Sequence, residues 1–259
     1  MFNKVKEIVN KIKNENPLIL NITNNVSIDF VANGLLSLGA SPIMSFAMQE
    51  IEDLIKLSNA IVINIGTLSD PFIGLCQHAC FVANKLVKPI IFDPVGAGAS
   101  AYRTKTCKIF LKNYQLAIIR GNASEIAALA GAALLTKGVD STTKPIKVVE
   151  YAEMLSAQYA ATICMSGATD IIIAQKNKNQ YDRGSPFMPM ITGTGCLLSA
   201  VVAAFHAVEK NSFIATSAAS LFFSVCGEIA AKQSIGPGSF KVNFLDALNL
   251  LPIQDHYEQ

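Results

Sequence analysis

Four short polar segments contain the residues whose types and spacing could do chemistry. Each follows an apolar run, and they read NITNN (21–25), DPVGAG (93–98), RGNASE (120–125) and TGTGC (192–196). In open parallel α/β sheets, ligands bind beyond the carboxyl ends of the strands. Because the four segments occupy equivalent positions after apolar runs, we expect them to surround one site.

Three charged residues in these segments point to phosphoryl transfer. Asp93 and Glu125 are carboxylates that could hold Mg²⁺ directly or through water, and the guanidinium of Arg120 matches the oxygens of a phosphate. Each carboxylate also has a simpler explanation: Asp93 could stabilise a turn before a proline, and Glu125 has capping-box spacing from Asn122. Together the three charges supply the positioning and neutralisation on which phosphoryl transfer depends.

The segment TGTGC predicts an anion hole at the start of a helix. Its glycines let the backbone N–H groups of Gly193, Thr194, Gly195 and Cys196 converge, and the helix that follows adds its dipole. The same dipole is expected to lower the pKa of Cys196 from its usual value of about 8.5. A buried structural thiol at Cys196 is the alternative interpretation.

Other catalytic schemes fit the sequence less well. No Walker-type G-x-x-x-x-G-K-[ST] and no G-x-S-x-G segment is present, and the stretch from Gly96 to Ala101 lacks the third glycine of a dinucleotide fingerprint. The histidines lie on helical or terminal stretches, at positions 78, 206 and 256. A Cys–His hydrolase is therefore disfavoured.

Composition narrows the class of protein. The chain of 259 residues has a net charge of only +2, which gives no electrostatic reason to expect nucleic acid or an anionic membrane as partner. Its mean hydropathy of +0.38 predicts either a large parallel-sheet core or apolar surface covered by other subunits, so we expect a homo-oligomer. The six cysteines lack zinc-site spacing and no signal peptide is apparent, which predicts reduced thiols in the cytoplasm.

Apolar strands alternate with amphipathic helices along most of the chain. This alternation predicts an α/β fold with a mostly parallel sheet covered by helices on both faces. Near residue 160 the pattern changes to that of a local antiparallel hairpin, and two core helices follow at about 195–209 and 212–232. The final segment at 239–251 could be a strand or a helix. We predict a single domain spanning 1–259.

The order of the motifs resembles that of the hydroxyethylthiazole kinase family. The matching segments span about 17 to 245 and read ITNNV, ANGLLSLGASPIM, VINIGTLS, DPVGAGAS, RGNASEI, TGTGCLLSAV and GPGSF. The resemblance implies a ribokinase-like three-layer fold and a homotrimer with sites at subunit interfaces. It also implies transfer of the γ-phosphate of ATP, with Mg²⁺, to the primary hydroxyl of 4-methyl-5-(2-hydroxyethyl)thiazole in thiamine biosynthesis or salvage.

The resemblance also assigns binding residues. For the thiazole pocket it implies Asn25, Met44 and Gly193. For ATP it implies Arg120, which would hold phosphates, and Ser166, which stands where the family usually has threonine and keeps its hydroxyl.

Metal-binding and catalytic positions are carried over in the same way. The resemblance implies Mg²⁺ at Asp93 and Glu125, and it places Cys196 where ribokinase relatives have a catalytic aspartate. One position departs from the family, since Ala168 replaces the acid that commonly follows the glycine of the SG segment. Asp170 would have to reach back to take over any role of that acid.

Three other functions compete with this interpretation. One is another ribokinase-like kinase, such as a hydroxymethylpyrimidine kinase, and a second is a dehydratase of the same fold that uses ATP or ADP on a hydrated nicotinamide cofactor. A third is a catalytically silent binding or scaffold protein, which the intact charged residues and Cys196 disfavour.

Overall fold

An eight-stranded sheet forms the centre of the computed structural model, which describes residues 1–132 and 145–250. Its strands are β1 (Leu18–Ile22), β2 (Ser41–Met44), β3 (Ala60–Asn64), β4 (Ile90–Asp93), β5 (Ile118–Asn122), β6 (Thr162–Ser166), β7 (Asp170–Ala174) and β8 (Asn177–Tyr181). They lie in the order β2-β1-β3-β4-β5-β6-β7-β8. Every pair from β2 to β6 is parallel, whereas β7 and β8 pair in the antiparallel sense.

The strands in the middle of the sheet are apolar along their whole length because both of their faces are covered. All five residues of β3 and all four of β4 are buried. A parallel strand between two helical layers has no solvent-facing side, so the alternation of polar and apolar residues disappears. The continuous Ile and Val runs therefore predicted this part of the sheet correctly.

Ten helices of the described residues cover the two faces of the sheet. They are α1 (Phe2–Glu15), α2 (Ile28–Leu38), α3 (Ile51–Leu57), α4 (Asp70–Lys85), α5 (Ala101–Asn113), α6 (Ala123–Leu129), α7 (Pro145–Tyr159), α8 (Thr194–Val208), α9 (Ser212–Lys232) and α10 (Pro237–Asn249). One hydrophobic core packs α1, α2, α8, α9 and α10 on one face of the sheet. A second core packs α3, α4, α5, α6 and α7 on the other face. The predicted three-layer arrangement is confirmed.

The helices α8 and α9 are the apolar segments that the sequence suggested as core helices. By length and composition α9 could cross a membrane, but 78% of its most apolar window is buried inside the structure. Small residues in both helices allow close packing, and contacts of α8 with α9 and with β1, β3 and β4 bury them. Their burial agrees with the prediction from sequence.

Two local predictions from the sequence have clear outcomes. The change of pattern near residue 160 corresponds to the antiparallel strands β6, β7 and β8. The ambiguous final segment forms α10, which begins at Pro237 and buries Phe240 and Phe244 against the core. His256 and the last residue of the ambiguous segment, at position 251, lie outside the described residues. The single domain stays a prediction.

Candidate active site

The carboxyl ends of neighbouring strands bring most of the candidate residues together. Asn64 and Asp93 are partners in the β3–β4 ladder, and Asn122 and Ser166 are partners in the β5–β6 ladder. The first turn of α8 lies against the same edge, because a Cβ atom added at Gly195 would lie 2.5 Å from Nη1 of Arg120 on β5. Three of the four polar segments therefore meet at one edge of the sheet, and Asn24 of the fourth contacts Asn64 and Cys196 there, as expected from their positions.

The carboxylate of Asp93 is completely buried at the end of β4. Its Oδ2 accepts hydrogen bonds from Nδ2 of Asn64 at 2.9 Å and from Oγ of Ser199 at 2.7 Å. Its Oδ1 is buried and has no hydrogen-bond partner in the described part of the chain. Burial raises the pKa of Asp93 to about 6, although the nearby charge of Arg120 acts against this rise.

The guanidinium of Arg120 joins the ends of β4 and β6 to the first turn of α8. Its Nη1 lies 3.5 Å from Oδ2 of Asp93, and its Nη2 donates to Oγ of Ser166. Burial opposes the positive charge, but the carboxylates of Asp93 and Glu125 outweigh it and raise the pKa of Arg120. The absence of a side chain at Gly195 is what leaves room for this guanidinium.

Glu125 connects the loop that follows β4 to the junction of β5 and α6. Its Oε2 accepts the N–H of Asn122 at 2.8 Å while Oδ1 of Asn122 accepts the N–H of Glu125, so the predicted capping box is confirmed. Its Oε1 accepts the N–H of Gly96 at 2.8 Å. Each carboxylate oxygen can accept more than one hydrogen bond, so Glu125 keeps capacity for a further partner.

The start of α8 leaves part of the predicted anion hole open, because the N–H of Thr194 donates to the carbonyl of Ile191 at 3.3 Å and so drops out of the predicted set. Gly193 precedes the helix with φ at +90°, a conformation that favours glycine, and a Cβ there would lie 2.7 Å from Cβ of Ser27. The first intrahelical bond runs from the N–H of Leu197 to the carbonyl of Gly193. In the described structure the N–H groups of Gly195 and Cys196 have no hydrogen-bond acceptor, which leaves them available to an anion.

Cys196 is half-buried, and its sulfur accepts a hydrogen bond from Nδ2 of Asn24 at 3.2 Å. The predicted lowering of its pKa is wrong. Burial raises the pKa of Cys196, and the negative charge of Asp93 adds to the rise, while hydrogen bonds from neighbouring polar side chains oppose it. Desolvation of the thiolate outweighs these hydrogen bonds, so the thiol is protonated at neutral pH.

Two buried asparagines belong to the site although no role had been predicted for them. Nδ2 of Asn24 donates to Oδ1 of Asn64 at 2.9 Å as well as to Cys196, and Asn64 in turn donates to Asp93. In the sequence, the signal for Asn64 is one amide at the end of the otherwise apolar strand β3. A buried polar side chain needs partners, and the neighbouring strand end supplies them.

The two remaining residues of the expected thiazole pocket are Asn25, which follows Asn24, and Met44, which lies on the edge strand β2. Asn25 is exposed, its backbone N–H donates to Oγ1 of Thr67, and its neighbour Asn24 is the residue that contacts Cys196. Met44 ends the edge strand β2 and packs partly buried against the core on the α8 side of the sheet. Substrate binding by Asn25, Met44 and Gly193 stays a prediction.

The turn that follows β6 is held by Asp170, whose reach extends back to Gly167 and across to α9, while a role in place of the acid missing at Ala168 stays a prediction. Its Oδ1 accepts the N–H of Gly167 at 3.1 Å, and its Oδ2 accepts the hydroxyls of Ser220 at 2.7 Å and Ser224 at 3.0 Å. Burial raises the pKa of Asp170, against these hydrogen bonds. Its oxygens bind α9 and the turn itself, and through the turn they fix the end of the strand that carries Ser166.

The chemistry of the donor set fits a magnesium ion that is bound mainly by a ligand and water. Within the described ranges, no three His, Cys, Asp or Glu side chains come together as a metal site. Mg²⁺ usually keeps several waters and binds through one or two carboxylates together with phosphate oxygens. The unpaired Oδ1 of Asp93 and the spare acceptor capacity of Glu125 meet that requirement.

Comparison with known proteins identifies relatives along almost the whole chain. A sequence model described as the hydroxyethylthiazole kinase family matches residues 9–254. A hydroxyethylthiazole kinase from Brachyspira hyodysenteriae is 44% identical over 255 residues, which is 98% of this chain and 95% of the relative. Another from Carboxydothermus hydrogenoformans is 40% identical and covers 100% of this chain and 96% of its own length.

Solved structures agree with the sequence comparison. A hydroxyethylthiazole kinase protein from Pyrococcus horikoshii superposes with a TM-score of 0.87 at 34% identity, covering 95% of this chain and 92% of that one. A pyridoxal kinase from Bacillus subtilis superposes with a TM-score of 0.61 at 16% identity, covering 85% of this chain and 93% of that one. At such low identity this second likeness shows a shared fold alone.

Proposed function

Because this chain belongs to the hydroxyethylthiazole kinase family, we propose that it phosphorylates the primary hydroxyl of 4-methyl-5-(2-hydroxyethyl)thiazole with ATP in thiamine biosynthesis or salvage. The observation that carries the proposal is the place of Arg120. Its guanidinium lies between Ser166, Asp93 and the unpaired N–H groups of α8, where an arginine and a helix start together suit a phosphate.

In the proposed reaction the acceptor hydroxyl attacks the terminal phosphorus of ATP. A bond forms between that phosphorus and the hydroxyl oxygen, the bond to the bridging oxygen breaks, and ADP leaves with that oxygen. The hydroxyl proton passes to the small thiolate fraction of Cys196 or, where the thiol is protonated, to an oxygen of the transferred phosphate. Arg120 neutralises the phosphate oxygens, and the N–H groups of Gly195 and Cys196 bind the transferred group. Ser166 orients Arg120 through the hydrogen bond that joins them.

Mg²⁺ fits this site at Asp93 and Glu125. When bound with the nucleotide, the ion would neutralise charge on the phosphate oxygens. The two carboxylates would hold it from the end of β4 and from the first turn of α6, and the bonds of Glu125 to the backbone of Gly96 and Asn122 fix these two segments relative to each other.

Cys196 makes a modest contribution as a base in this proposal. Its pKa is raised by burial, so little thiolate is present at neutral pH. Proton removal also matters less in a loose transition state, in which the attacking oxygen has formed little of its bond. We therefore expect the first turn of α8 to contribute more than the thiol.

An ADP-release assay coupled to a reporter enzyme, run with a panel of alcohols, tests the function. The thiazole alcohol is expected to give ATP-dependent turnover well above hydroxymethylpyrimidine and a hydrated nicotinamide cofactor. Absence of thiazole-dependent turnover would contradict the proposal.

The role of Cys196 is tested by two substitutions in the same assay. We expect Cys196→Ala to lower kcat by about tenfold, in the lower range for loss of a general base, and Cys196→Asp to retain activity because a carboxylate can accept the proton. If the Asp variant is inactive while the Ala variant keeps full activity, a base role at this position is wrong.

A homotrimer with sites at its subunit interfaces is part of the proposal. Large apolar side chains are exposed close to the site on three different segments, at Val26, Phe46 and Met190. Such apolar surface favours contact with another subunit, and light scattering of the purified protein would give the number of chains. A cytoplasmic location is supported by the six cysteines, all of which are free thiols.

A further inference from the structure

The orientation of the Asn24 side chain is fixed by backbone groups. Its Oδ1 accepts the N–H of Val26 at 3.1 Å and the N–H of Ser27 at 3.0 Å. A backbone N–H can only donate, so the amide oxygen must face these groups and the amide nitrogen must face the other way. That nitrogen is therefore directed at the sulfur of Cys196 and at Oδ1 of Asn64.

The orientation of Asn64 is fixed by the same logic. Its Oδ1 accepts the N–H of Gly66 at 3.0 Å and Nδ2 of Asn24 at 2.9 Å, so its own nitrogen faces Oδ2 of Asp93 at 2.9 Å. The Asn24 side chain also lies in close contact with the backbone at Gly66, where an added Cβ would come within 2.8 Å of Cβ of Asn24. The direction of every hydrogen bond between Cys196 and Asp93 is therefore fixed: Asn24 donates both to Cys196 and to Asn64, and Asn64 donates to Asp93.

We propose that Asn64 is a positioning residue of the phosphoryl-transfer site, which couples the carboxylate of Asp93 to the thiol of Cys196 through Asn24. One end of this connection holds the carboxylate oxygen that is not available to a metal. At the other end, Asn24 donates to the sulfur of Cys196, so the S–H hydrogen of Cys196 points away from Asn24. The consequence for catalysis rests on the proposed function, whereas the coupling itself can be measured without any substrate.

The thiol of Cys196 provides a direct readout of this coupling. Of the six cysteines it alone is half-exposed, and the other five are buried. Alkylation of the folded protein with iodoacetamide therefore reports on Cys196, and its rate follows the fraction and environment of the thiolate. Cys196→Ala gives the background rate of the other thiols.

Two substitutions separate the two functions of Asn64. Asn64→Asp keeps the oxygen that accepts from Asn24 and Gly66 but places a second carboxylate oxygen against Asp93, so the pair is expected to share one proton. The net charge near the thiol then stays the same, so the alkylation rate should change less than about twofold, while kcat falls about 10- to 100-fold because the Asp93 carboxylate is engaged by that proton. Asn64→Leu also removes the oxygen that accepts from Asn24, so kcat should fall and the alkylation rate of Cys196 should fall at least about threefold. In both variants KM for the thiazole is expected to stay within about threefold, because Asn64 does not touch the substrate.

A matched control comes from the opposite edge of the sheet. Asn84 likewise makes two hydrogen bonds with its side chain, both to the backbone of Gln115 ahead of β5. Asn84→Leu is expected to leave kcat, KM and the alkylation rate unchanged. If Asn64→Leu does not fold, as judged by circular dichroism, Asn64→Ser replaces it with the same expectations, because the short hydroxyl cannot reach Asn24 and Asp93 together.

Either of two results would overturn the proposal. One is an Asn64→Asp variant with wild-type kcat, which would show that Asp93 does not depend on Asn64. The other is unchanged alkylation of Cys196 in Asn64→Leu or its replacement. If instead the wild-type protein shows no thiazole-dependent turnover, the proposed function fails, and the alkylation rates still decide whether Asn64 acts on the thiol.

Discussion

Asp93 and Asp170 are two buried aspartates at neighbouring strand ends, and they differ in what their oxygens do. Burial raises the pKa of both. Asp170 has hydrogen bonds on both oxygens, from Gly167 and from two serines of α9. Asp93 leaves Oδ1 unpaired and lies beside the buried guanidinium of Arg120.

The difference teaches that burial and a raised pKa do not by themselves identify a catalytic carboxylate. A carboxylate saturated by neutral donors stabilises the structure around it, as Asp170 does for the turn after β6. A buried carboxylate with an unpaired oxygen destabilises the fold, and such a group beside a cation is typical of a functional site. The four predictions below test this contrast, from the largest expected effect to the smallest.

The largest effect is expected from Asp93→Asn. The variant removes the charge that faces Arg120 and an oxygen offered to Mg²⁺, so kcat should fall about 10²- to 10³-fold, as measured by ADP release. Asp170→Asn should lower kcat less than about threefold, because Asp170 does not touch the reacting groups. Equal losses in the two variants would remove the contrast between them.

The stability of the wild-type protein should depend on pH differently from that of Asp93→Asn. The native state holds the proton of Asp93 up to a pKa of about 6, against an ordinary value of 3.8. The native state therefore binds more protons than the unfolded state between these values, and the stability contributed by Asp93 falls as the pH rises through this window. The difference corresponds to at most about 3 kcal/mol.

Urea unfolding of the wild-type protein and of Asp93→Asn, at a series of pH values from about 4 to about 6.5, measures this dependence. The wild-type protein should lose stability relative to the variant as the pH rises. Parallel curves for the two proteins would show that the pKa of Asp93 is not raised.

Asp170→Asn should act on stability and nucleotide binding. An amide nitrogen replaces one acceptor oxygen, so a buried donor loses its partner and the free energy of unfolding should fall by about 1–3 kcal/mol. Because the turn also fixes the strand end that carries Ser166, KM for ATP should rise more than kcat falls. The control is Thr169→Ala in the same turn, where the side chain hydrogen-bonds only Asp182 among the described residues; it should change neither the free energy of unfolding nor KM for ATP.

The smallest effect is expected from Gly195→Ala. The added methyl group would lie 2.5 Å from Nη1 of Arg120, so the guanidinium must move and kcat/KM for ATP should fall about tenfold. The control is Gly74→Ala, since a Cβ on this helical glycine meets nothing within 4 Å. That variant should keep full activity and gain up to about 1 kcal/mol of stability, and equal activity of both variants would contradict the assigned place of Arg120.

Much of the candidate site followed from the sequence because it is built at the ends of strands. Asp93 comes directly after an apolar run, and Arg120 lies within the last residues of the next strand. The capping box of Glu125 could be predicted from spacing alone, because its three-residue separation from Asn122 is a local property of a helix start. Local patterns of this kind do not depend on how the rest of the chain packs.

The pKa of Cys196 and the two asparagines did not follow from the sequence. The helix dipole at TGTGC suggested a lowered pKa, but the amount of water that reaches the thiol depends on β1, β3 and α8 together. Likewise, Asn24 rather than its neighbour Asn25 lies against the thiol, and neither residue type nor spacing distinguishes these adjacent asparagines.

The sequence by itself therefore determined the layered α/β fold, the edge of the sheet at which polar groups gather and the family to which the chain belongs. The tertiary structure alone decided which polar atoms face one another: that Gly195 makes room for Arg120, that Asp170 binds α9 and that Asn64 links Asp93 to Asn24. The physical reason is that strand and helix patterns are set by local periodicity. Hydrogen-bond partners and desolvation are set by groups that are distant in the chain and meet only when it folds.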